Sequence, residues 1–412
     1  PISILPVFSK PLEKLISVRI TSHLEKYSLI TESQFGFRQN RSTEFALLKQ
    51  KELILKALDN RLLTIGIFLD FSKAFDTINH DILLAKLTCF GIRGNTLKLL
   101  KSYLQHRTQF VVISNFKSHI LNITSGVPQG SILGPLLFTI YINDIVNVNR
   151  DPDIEFIIYA DDTSIFFPGR DINTLVAKCN NLLDKINRWT TSNLLKLNSQ
   201  KTKAIIFSSS NIPVVISSPV VLNNEEIEFV DKIKTLGIWF TKTMSWTAHV
   251  DFILSKLSKT VGLLMKFKSL LPQSVKLLLY NSLVYSQFNY CHLVWGNTTK
   301  ANMNKLFILQ KKAVRAIANC SYYHHTEHLF SSLKIKPIQN IYEYKLLVTY
   351  KKSLLITDSF FMRLCSLVPF TSPYQLRPKE KWFVAPSRTL YFNQTLNYQF
   401  NYSIKLLIYQ RN

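Results

Sequence analysis

The 412-residue sequence lacks the features that mark several common classes of protein. Its five cysteines are scattered and odd in number, and no CxxC pair occurs, so they indicate neither a disulfide framework nor a zinc knuckle and favour a reducing compartment. No apolar run reaches the ~18 residues of a membrane span, and no signal peptide is visible. A length of 412 residues exceeds one typical domain, so two or three folded modules are expected. Charged residues make up 18% and hydrophobic residues 47%, a composition that favours a sizeable core over wholesale disorder.

Acidic residues are also scarce, and their scarcity is uneven. Residues 1–231 contain 25 Lys and Arg against 21 Asp and Glu, a net charge of +4. Residues 232–412 contain 25 against 5, which gives +20 of the total of +24. A strongly basic surface indicates nucleic acid or an anionic membrane as partner. Since no basic amphipathic helix with an aromatic face is apparent, nucleic acid is the favoured partner.

Glycines are few, yet three of the 11 lie close together at Gly126, Gly130 and Gly134. The first two belong to the segment SGVPQGS (125–131), which precedes an apolar run at 132–145 that predicts a helix. Glycine lets a backbone approach a ligand closely. A plain turn before a helix is the alternative that this segment alone leaves open.

Two adjacent acids lie between two runs rich in Ile and Phe, in the stretch FIIYADDTSIFF (156–167). Each run is too short for a helix, so the stretch predicts a hairpin of buried strands with Asp161 and Asp162 at its tip. Neighbouring carboxylates repel each other beside a core, and a divalent cation with a preference for oxygen, such as Mg²⁺, would relieve that repulsion. Asp-Asp pairs also occur in solvated turns, which is the simpler interpretation of this stretch by itself.

A third acid, Asp70, ends a run at 62–70 that predicts another buried strand. The end of a buried strand is a favoured position for a catalytic carboxylate, whereas Asp76 and Asn79 fit the cap of the helix predicted near 80–87. Upstream, Arg38 and Arg41 follow a glycine turn and are candidate phosphate ligands. Exposed arginines on a loop are the alternative.

The basic part of the chain begins with a predicted amphipathic helix from Trp246 to about Leu270. Its apolar positions recur at helical spacing, and Lys256, Lys259 and Lys266 lie roughly opposite them. Further predicted elements are helices at 12–24, 46–54, 96–104, 173–190, 272–320 and 341–354, strands at 110–113, 204–207 and 234–240, and a loop or edge hairpin at 208–220.

The sequence resembles reverse transcriptases of non-LTR, LINE-type retrotransposons, the jockey-like branch above all. The resemblance covers residues 1 to about 240 and extends more loosely to about 330. The motifs that carry it occur in the family's order: PISILPVFSKPLEKLI (1–16), QFGFRQNRST (34–43), LDFSKAFD (69–76), SGVPQGS (125–131), YADD (159–162), LKLNSQKTK (195–203) and IKTLGIWF (233–240).

The resemblance implies an α+β fold of the right-hand polymerase type. Fingers and a palm built on an antiparallel sheet are expected over residues 1–240, with the fingers truncated at the N-terminus. A helical thumb is expected over 241–300, and a basic, mostly helical extension over 301–412. The implied activity is that of an RNA-directed DNA polymerase, a nucleotidyltransferase that adds deoxynucleotides to a primer 3′-hydroxyl by two-metal phosphoryl transfer.

The resemblance also assigns roles to residues. Two Mg²⁺ ions, with Mn²⁺ as a possible substitute, are expected on Asp70, Asp161, Asp162 and the carbonyl of Phe71, and Lys201 is expected to protonate the leaving pyrophosphate. Expected contacts to the incoming deoxynucleoside triphosphate and to nucleic acid come from two sets of residues. The nucleotide set is Arg38, Arg41, Phe75 as steric gate, Gln129, Tyr159 and Ala160, and the nucleic-acid set is Gly130, Lys256, Lys259 and Lys266.

The expected partners are an RNA template, a DNA primer and deoxynucleoside triphosphates, without a membrane. Full-length members of the family carry an endonuclease domain upstream, which is expected to be missing here, and act inside the cell, in cytoplasm and nucleus, as ribonucleoproteins. Two alternatives stay open. One is a catalytically silent nucleic-acid-binding remnant of such an element, and the other is an intron-encoded maturase.

Overall fold

The computed structural model describes residues 6–105, 107–209, 214–356, 359–366, 389–400 and 402. The start of the first family motif (1–5), part of the predicted loop at 208–220 and much of the expected extension over 301–412 lie outside these residues. The helices are α1 (Ser9–Lys26), α2 (Thr43–Asp59), α3 (His80–Cys89), α4 (Gly94–Leu104), α5 (Leu133–Ile142), α6 (Ile172–Ser192), α7 (Thr247–Lys266), α8 (Gln273–Leu279), α9 (Ser286–Asn289), α10 (His292–Trp295), α11 (Lys300–Ile317), α12 (Glu327–Ser332), α13 (Ile341–Ser353) and α14 (Phe360–Cys365).

The strands are β1 (Leu63–Leu69), β2 (Thr108–Gln109), β3 (Val112–Ile113), β4 (Phe116–Lys117), β5 (Leu121–Asn122), β6 (Glu155–Tyr159), β7 (Asp162–Gly169), β8 (Lys203–Phe207), β9 (Val221–Leu222), β10 (Glu225–Glu226), β11 (Glu228–Phe229), β12 (Lys232–Thr235) and β13 (Ile238–Thr241). The longest strands, of five to eight residues, are β1, β6, β7 and β8, and each of the others has two to four residues. 3₁₀ turns lie at Asn143–Val148, Ile338–Asn340 and Phe392–Gln394, and a π-helical turn lies at Tyr280–Tyr285.

Five strands form the central sheet, in the order β11-β8-β1-β7-β6. Strands β6 and β7 are antiparallel, as the predicted hairpin requires, but β11 pairs with β8 in parallel. The sheet is therefore mixed, and the expectation of an antiparallel sheet is wrong at this edge. The reason is that the chain turns through the small β9–β10 hairpin and then runs alongside β8 in the same direction.

The strand predicted at 234–240 is in fact a hairpin of β12 and β13. Leu236 and Gly237 form its two-residue turn, with φ of 45° and 84°. This positive-φ pair suits the right-handed twist of a tight hairpin, and glycine supplies it without a steric cost. The prediction at 234–240 failed because the apolar run continues across the turn.

The chain divides into two compact units that interleave along the sequence. The first comprises the described residues within Pro1–Ser42, Ile65–Ile205 and Val214–Val230, and the second those within Thr43–Thr64, Ile206–Pro213 and Asp231–Asn412. Helix α2 thus belongs to the same unit as the basic half of the chain.

In the first unit the core is built around α5, of which every residue except the half-buried Pro135 is buried. A helix that is apolar on all sides has no solvent face and must be surrounded by other elements. Helix α6 buries only one stripe, at spacings of three and four from Leu175 to Ile186. The hydroxyl of Tyr141 on α5 donates to the carbonyl of Asn193 at 2.5 Å, which ties the two helices together.

The N-terminus of α5 is capped by a side chain that is distant in sequence. The Glu13 carboxylate, 2% exposed, accepts the backbone N–H groups of Ile132 at 2.7 Å and Leu133 at 3.2 Å. The next N–H, of Gly134, donates to the Ser131 hydroxyl at 3.0 Å. A carboxylate at this end also interacts favourably with the helix dipole, so Glu13 joins α1 to α5 by charge as well as by hydrogen bonds.

In the second unit, α7 packs along α11, and α2 packs against α10. Glu44 on α2 accepts the N–H of Leu293 at 3.0 Å and the ammonium of Lys345 at 3.1 Å. The fully buried ammonium of Lys51 reaches the Asn297 side chain at 3.3 Å. These polar links explain why α2 clusters with residues far along the chain.

We predict that Glu13→Ala lowers the free energy of unfolding by about 2–3 kcal/mol, because two buried N–H groups of α5 lose a charged acceptor. Glu13→Gln keeps an amide oxygen in the same place and should cost about half as much. Chemical denaturation of the three proteins provides the measurement. Equal and small losses in both variants would show that Glu13 does not cap α5.

Candidate catalytic site

Asp70 is positioned by the segment that carries the LKLNSQKTK motif. It follows β1 directly, and its carbonyl accepts the N–H of Asn198 at 2.8 Å. The N–H of Asp70 donates to the hydroxyl of Thr202, which is fully buried, at 3.3 Å. Two residues further on, the N–H of Ser72 donates to the carbonyl of Lys196 at 2.8 Å. The motif at 195–203 therefore acts as a backbone partner that fixes the end of β1.

These hydrogen bonds also orient the peptide groups of Phe71. Phe71 and Leu197 form an antiparallel bridge. The bonds are made by the residues on either side, so this is the non-hydrogen-bonded type of pair. In such a pair the N–H and C=O of the central residue point away from the partner segment. The carbonyl of Phe71 is thus directed away from residues 195–198.

The other two acids lie at the turn of the β6–β7 hairpin. Tyr159 pairs with Asp162, so the two turn residues are Ala160 and Asp161, and Asp162 already belongs to β7. Ala160 has φ of 58°, as a tight two-residue turn requires. The sequence prediction of a hairpin with the acids at its tip is confirmed. Strands β7 and β1 are neighbours in the sheet, and Asp70 acts electrostatically on both Asp161 and Asp162.

The three carboxylates act on one another electrostatically. Burial raises the pKa of Asp161, and the charge of Asp70 adds to the shift. Burial raises the pKa of Asp162 to about 6, with further contributions from Asp161 and Asp70, although one side of Asp162 is open to solvent. Proximity of like charges in a partly desolvated site accounts for this direction of shift.

The donor chemistry of this site fits Mg²⁺, which prefers carboxylate and carbonyl oxygens. Within the residues that the structure describes, however, no group of three or more His, Cys, Asp and Glu side chains is close enough together to hold a metal ion. Asp70, Asp161 and Asp162 are therefore electrostatic neighbours that do not form a closed ligand set. Their mutual repulsion is what a bound cation would relieve.

Gln34 supports the acidic turn, a role that the sequence analysis missed. It is fully buried, and its side-chain oxygen accepts the N–H of Gly36 at 2.8 Å and of Ala160 at 3.3 Å. A Cβ on Gly36 would lie 2.5 Å from the nitrogen of Ala160, so only glycine permits this approach. The sequence signal for this contact was the QFGF part of the upstream motif. Its glycine indicated a turn, but nothing in the sequence indicated that this turn packs against Ala160.

The SGVPQGS segment packs onto the turn that follows Asp70. Gly126 has φ of 83°, and a Cβ there would lie 2.7 Å from the carbonyl oxygen of Asp76. Its N–H donates to the carbonyl of Ile78 at 2.7 Å, and the side chain of Gln129 donates to Asp76 at 2.9 Å. Gly130 is exposed beside this loop, with φ of 94°.

Asn79 caps α3 by accepting the N–H of Ile82 at 3.0 Å, which confirms the predicted cap.

Phe75, expected as a steric gate, lies half-buried in the same turn. Its ring stacks on that of Phe138 with centroids 4.5 Å apart. Phe138 belongs to the buried helix α5, so the position of the Phe75 ring is fixed by the core. The role of Phe75 toward a sugar stays a prediction.

The two arginines that the sequence suggested as phosphate ligands are engaged elsewhere in the first unit. Arg38 forms a bidentate pair with Glu25, with both N–O distances at 3.0 Å, and donates to the carbonyl of Thr31 at 2.8 Å. Arg41 pairs with Glu32 and lies over the ring of Phe35. Neither guanidinium extends freely from an exposed loop in this conformation, so that alternative is wrong.

The two lysines of the LKLNSQKTK motif differ in their surroundings. Lys203 pairs with Glu228 at 2.5 Å, whereas the side chain of Lys201 is exposed. In the second unit, Lys256, Lys259 and Lys266 are all exposed on α7, opposite its buried stripe. Lys256 donates to Gln287 at 3.0 Å. The predicted helix and its solvent-facing lysines are confirmed, while their contact with nucleic acid stays a prediction.

None of the described helices is long and apolar enough to cross a bilayer.

The known proteins that this chain is similar to are RNA-directed DNA polymerases. Residues 1–240 match the family described as "Reverse transcriptase (RNA-dependent DNA polymerase)". The RNA-directed DNA polymerase from mobile element jockey of Drosophila melanogaster is 29% identical over 344 residues, which are 81% of this chain and 37% of that protein. The probable RNA-directed DNA polymerase from transposon BS of the same species is 29% identical over 347 residues, which are 82% and 38%. The chain thus spans less than two-fifths of the length of these curated relatives.

Among solved structures, apo telomerase from Candida tropicalis superposes with a TM-score of 0.46 at 12% identity, covering 85% of this chain and 60% of that one. The family match rests on sequence and covers 240 of the 412 residues, including all the acids of the site. By that match the chain belongs to the reverse transcriptase (RNA-dependent DNA polymerase) family, among the enzymes of non-LTR retrotransposons that its motifs predicted.

Proposed function

We propose that this chain is an RNA-directed DNA polymerase that extends a DNA primer on an RNA template with deoxynucleoside triphosphates. The observation that carries the proposal is that Asp70, directly after β1, acts electrostatically on Asp161 and Asp162 at the start of the neighbouring strand β7. Burial raises the pKa of both hairpin acids, and the charge of Asp70 adds to each shift. A site that accumulates negative charge is suited to bind cations and, through them, a triphosphate.

In this proposal the carboxylates and the carbonyl of Phe71 hold two Mg²⁺ ions. When bound, the ions would supply charge neutralisation for the attacking hydroxyl and the leaving pyrophosphate. The chain's own residues orient the reactants: the Phe75 ring bounds the sugar, while Gln129, Tyr159 and Ala160 border the nascent base pair. The exposed Lys201 is the proposed donor of a proton to pyrophosphate, since Lys203 already pairs with Glu228.

The division into palm, fingers and thumb is part of the same proposal. The central sheet would be the palm, with the fingers completing residues 1–240, and α7 with its exposed lysines would be the thumb within 241–300. Residues 301–412 would be a basic extension. Arg38 would contact the triphosphate only after leaving Glu25, so we assign it first to holding the turn at residues 34–40 in place.

The first prediction for this function concerns Asp161. Asp161→Asn should lower the rate of primer extension roughly a thousandfold, which corresponds to about 4 kcal/mol of lost stabilisation of the transition state. The assay extends a DNA primer on an RNA template with Mg²⁺. Asp184→Asn, which alters an exposed acid on α6, is the matched control and should be as active as wild type.

Two outcomes of this assay would contradict the proposal. If Asp161→Asn extends primers at the wild-type rate, Asp161 is not part of a catalytic site. An inactive wild-type chain that still binds template and primer would instead identify a silent remnant.

The raised pKa of Asp162 leads to a prediction about pH and metal. Because its pKa in the folded protein, about 6, exceeds the value of ~3.9 expected when unfolded, ionising this group disfavours folding. The effect is absent below about pH 4, grows as pH rises towards 6 and is constant above it. Without metal at pH 7.5, Asp162→Asn should therefore have a higher melting temperature than wild type.

Addition of Mg²⁺ should reverse that order. Wild type should gain thermal stability at pH 7.5, less at pH 5 where Asp162 is protonated, and Asp162→Asn should gain less than wild type at pH 7.5. Calorimetry with and without Mg²⁺ measures both effects, with Asp184→Asn as control. Equal Mg²⁺ shifts in all proteins would mean that these carboxylates do not bind the ion.

A further prediction concerns Phe75. Phe75→Val should raise the incorporation of ribonucleotides relative to deoxyribonucleotides by about tenfold or more, because the smaller side chain leaves room for a 2′-hydroxyl. Phe75→Leu keeps most of the bulk and should change selectivity much less. Competition between matched nucleotide pairs gives the ratio. Unchanged selectivity in the valine variant would make Phe75 only a packing partner of Phe138.

A further inference from the structure

A projecting ribbon formed by residues 107–123 has no function in the site described above. It consists of two short antiparallel ladders, β2 with β5 and β3 with β4. The N–H of Ile123 donates to the carbonyl of Arg107 at 2.8 Å and closes its base. Ser114, with φ of 55°, lies in the turn at its tip, where Ile113 faces Phe116.

Apolar side chains of this ribbon are exposed along its length. Phe116 is 83% exposed, Ile113 71% and Leu121 63%, and Phe110 is half exposed. A two-stranded ribbon without a covered face is marginally stable alone, and a continuous exposed apolar surface generally marks a binding site. Among the residues that the structure describes, no element covers these aromatic and aliphatic side chains of the ribbon.

The charge around the ribbon indicates what kind of partner that is. Residues 107–123 contain no Asp or Glu, and they contain two cations, Arg107 and Lys117. Lys117 lies over the ring of Phe110, with its ammonium 5.4 Å from the centroid. Aromatic rings interspersed with cations, without acids, suit a polyanion that carries flat bases.

A cavity of about 450 Å³ connects the base of the ribbon to the SGVPQGS loop. Arg107, Gln109 and Asn122 line it from the ribbon, and Lys73 and Gln129 line it from the side of the catalytic turn. The acid in this lining, Asp76, already accepts a hydrogen bond from Gln129. A strand that passes Gln129 can thus continue along the cavity to the exposed rings.

We propose that the ribbon of residues 107–123 is a stacking platform for the single-stranded RNA template ahead of the catalytic site. Unpaired bases stack on Phe110 and Phe116, while Arg107 and Lys117 neutralise phosphates. The inference rests on the proposed polymerase function and adds the element that holds the unpaired template.

The test compares two template–primer pairs that differ in the unpaired 5′ template. One has an overhang of about ten nucleotides, within the usual range of single-strand sites, and the other leaves only the templating base unpaired. Affinities are measured for wild type, for the double variant Phe110→Leu/Phe116→Leu, and for the control Phe8→Leu. The control alters an aromatic residue that is 89% exposed on the same unit. Leucine keeps apolar area and removes the ring, so it separates stacking from general apolar contact.

We expect wild type and Phe8→Leu to prefer the long overhang. The double variant should lose about fivefold or more of this preference, as expected for loss of base stacking. Its affinity for the short-overhang pair and its rate of single-nucleotide addition there should stay at the wild-type level. A photoreactive thiouridine in the overhang should cross-link to peptide 107–123 of wild type. Circular dichroism checks that each variant is folded.

An unchanged overhang preference in the folded double variant would overturn the platform. If sedimentation shows that wild type self-associates and the double variant does not, with an unchanged overhang preference, the ribbon contacts a second copy of the chain instead. Failure of wild type to extend even the short-overhang primer would refute the polymerase function itself. Normal extension with an unchanged preference would refute only the platform.

Discussion

Electrostatic repulsion among Asp70, Asp161 and Asp162 is the constraint on which the arrangement of the first unit depends. Burial and the charge of Asp70 both raise the pKa of Asp161 and of Asp162, and like charges in such a site separate unless the backbone holds them. The backbone does so from two sides. Residues 195–203 hydrogen-bond the chain on both sides of Phe71, and Gln34 hydrogen-bonds the turn at Ala160. The acids thus lie at one end of the sheet, and hydrogen bonds between uncharged groups fix the position of the backbone that carries them.

Two glycines allow the neighbouring segments to approach the acidic turn and the turn after Asp70 closely. Gly36 lies against the acidic turn and Gly126 against the turn after Asp70, each where a Cβ would overlap backbone atoms. Helix α5, buried except at Pro135, supplies the core of this unit, and the Glu13 carboxylate caps its N-terminus. Rigid support of this kind fixes the positions of the acidic turn and of the turn after Asp70.

The sequence predicted those parts of the fold that depend on local pattern. Alternation and apolar runs gave β1 and the β6–β7 hairpin, and helical spacing gave α6 and α7, because burying one face requires a fixed period. The cap at Asn79 was likewise predictable, since it bonds only three residues away. The β12–β13 hairpin was missed because its turn interrupts an apolar run with only Leu236 and Gly237.

For the site, the sequence by itself determined the residue types: three acids at strand ends, glycines at the turns and an excess of cations in the second half. Only the tertiary structure decided their partners, because those contacts join positions far apart in the chain. In the structure Arg38 forms a salt bridge with Glu25, Gln34 accepts a hydrogen bond from Ala160, and Glu13 caps α5. The tertiary structure also left Phe110 and Phe116 uncovered, which no local pattern could reveal, because the exposure of an apolar residue depends on whether another element covers it.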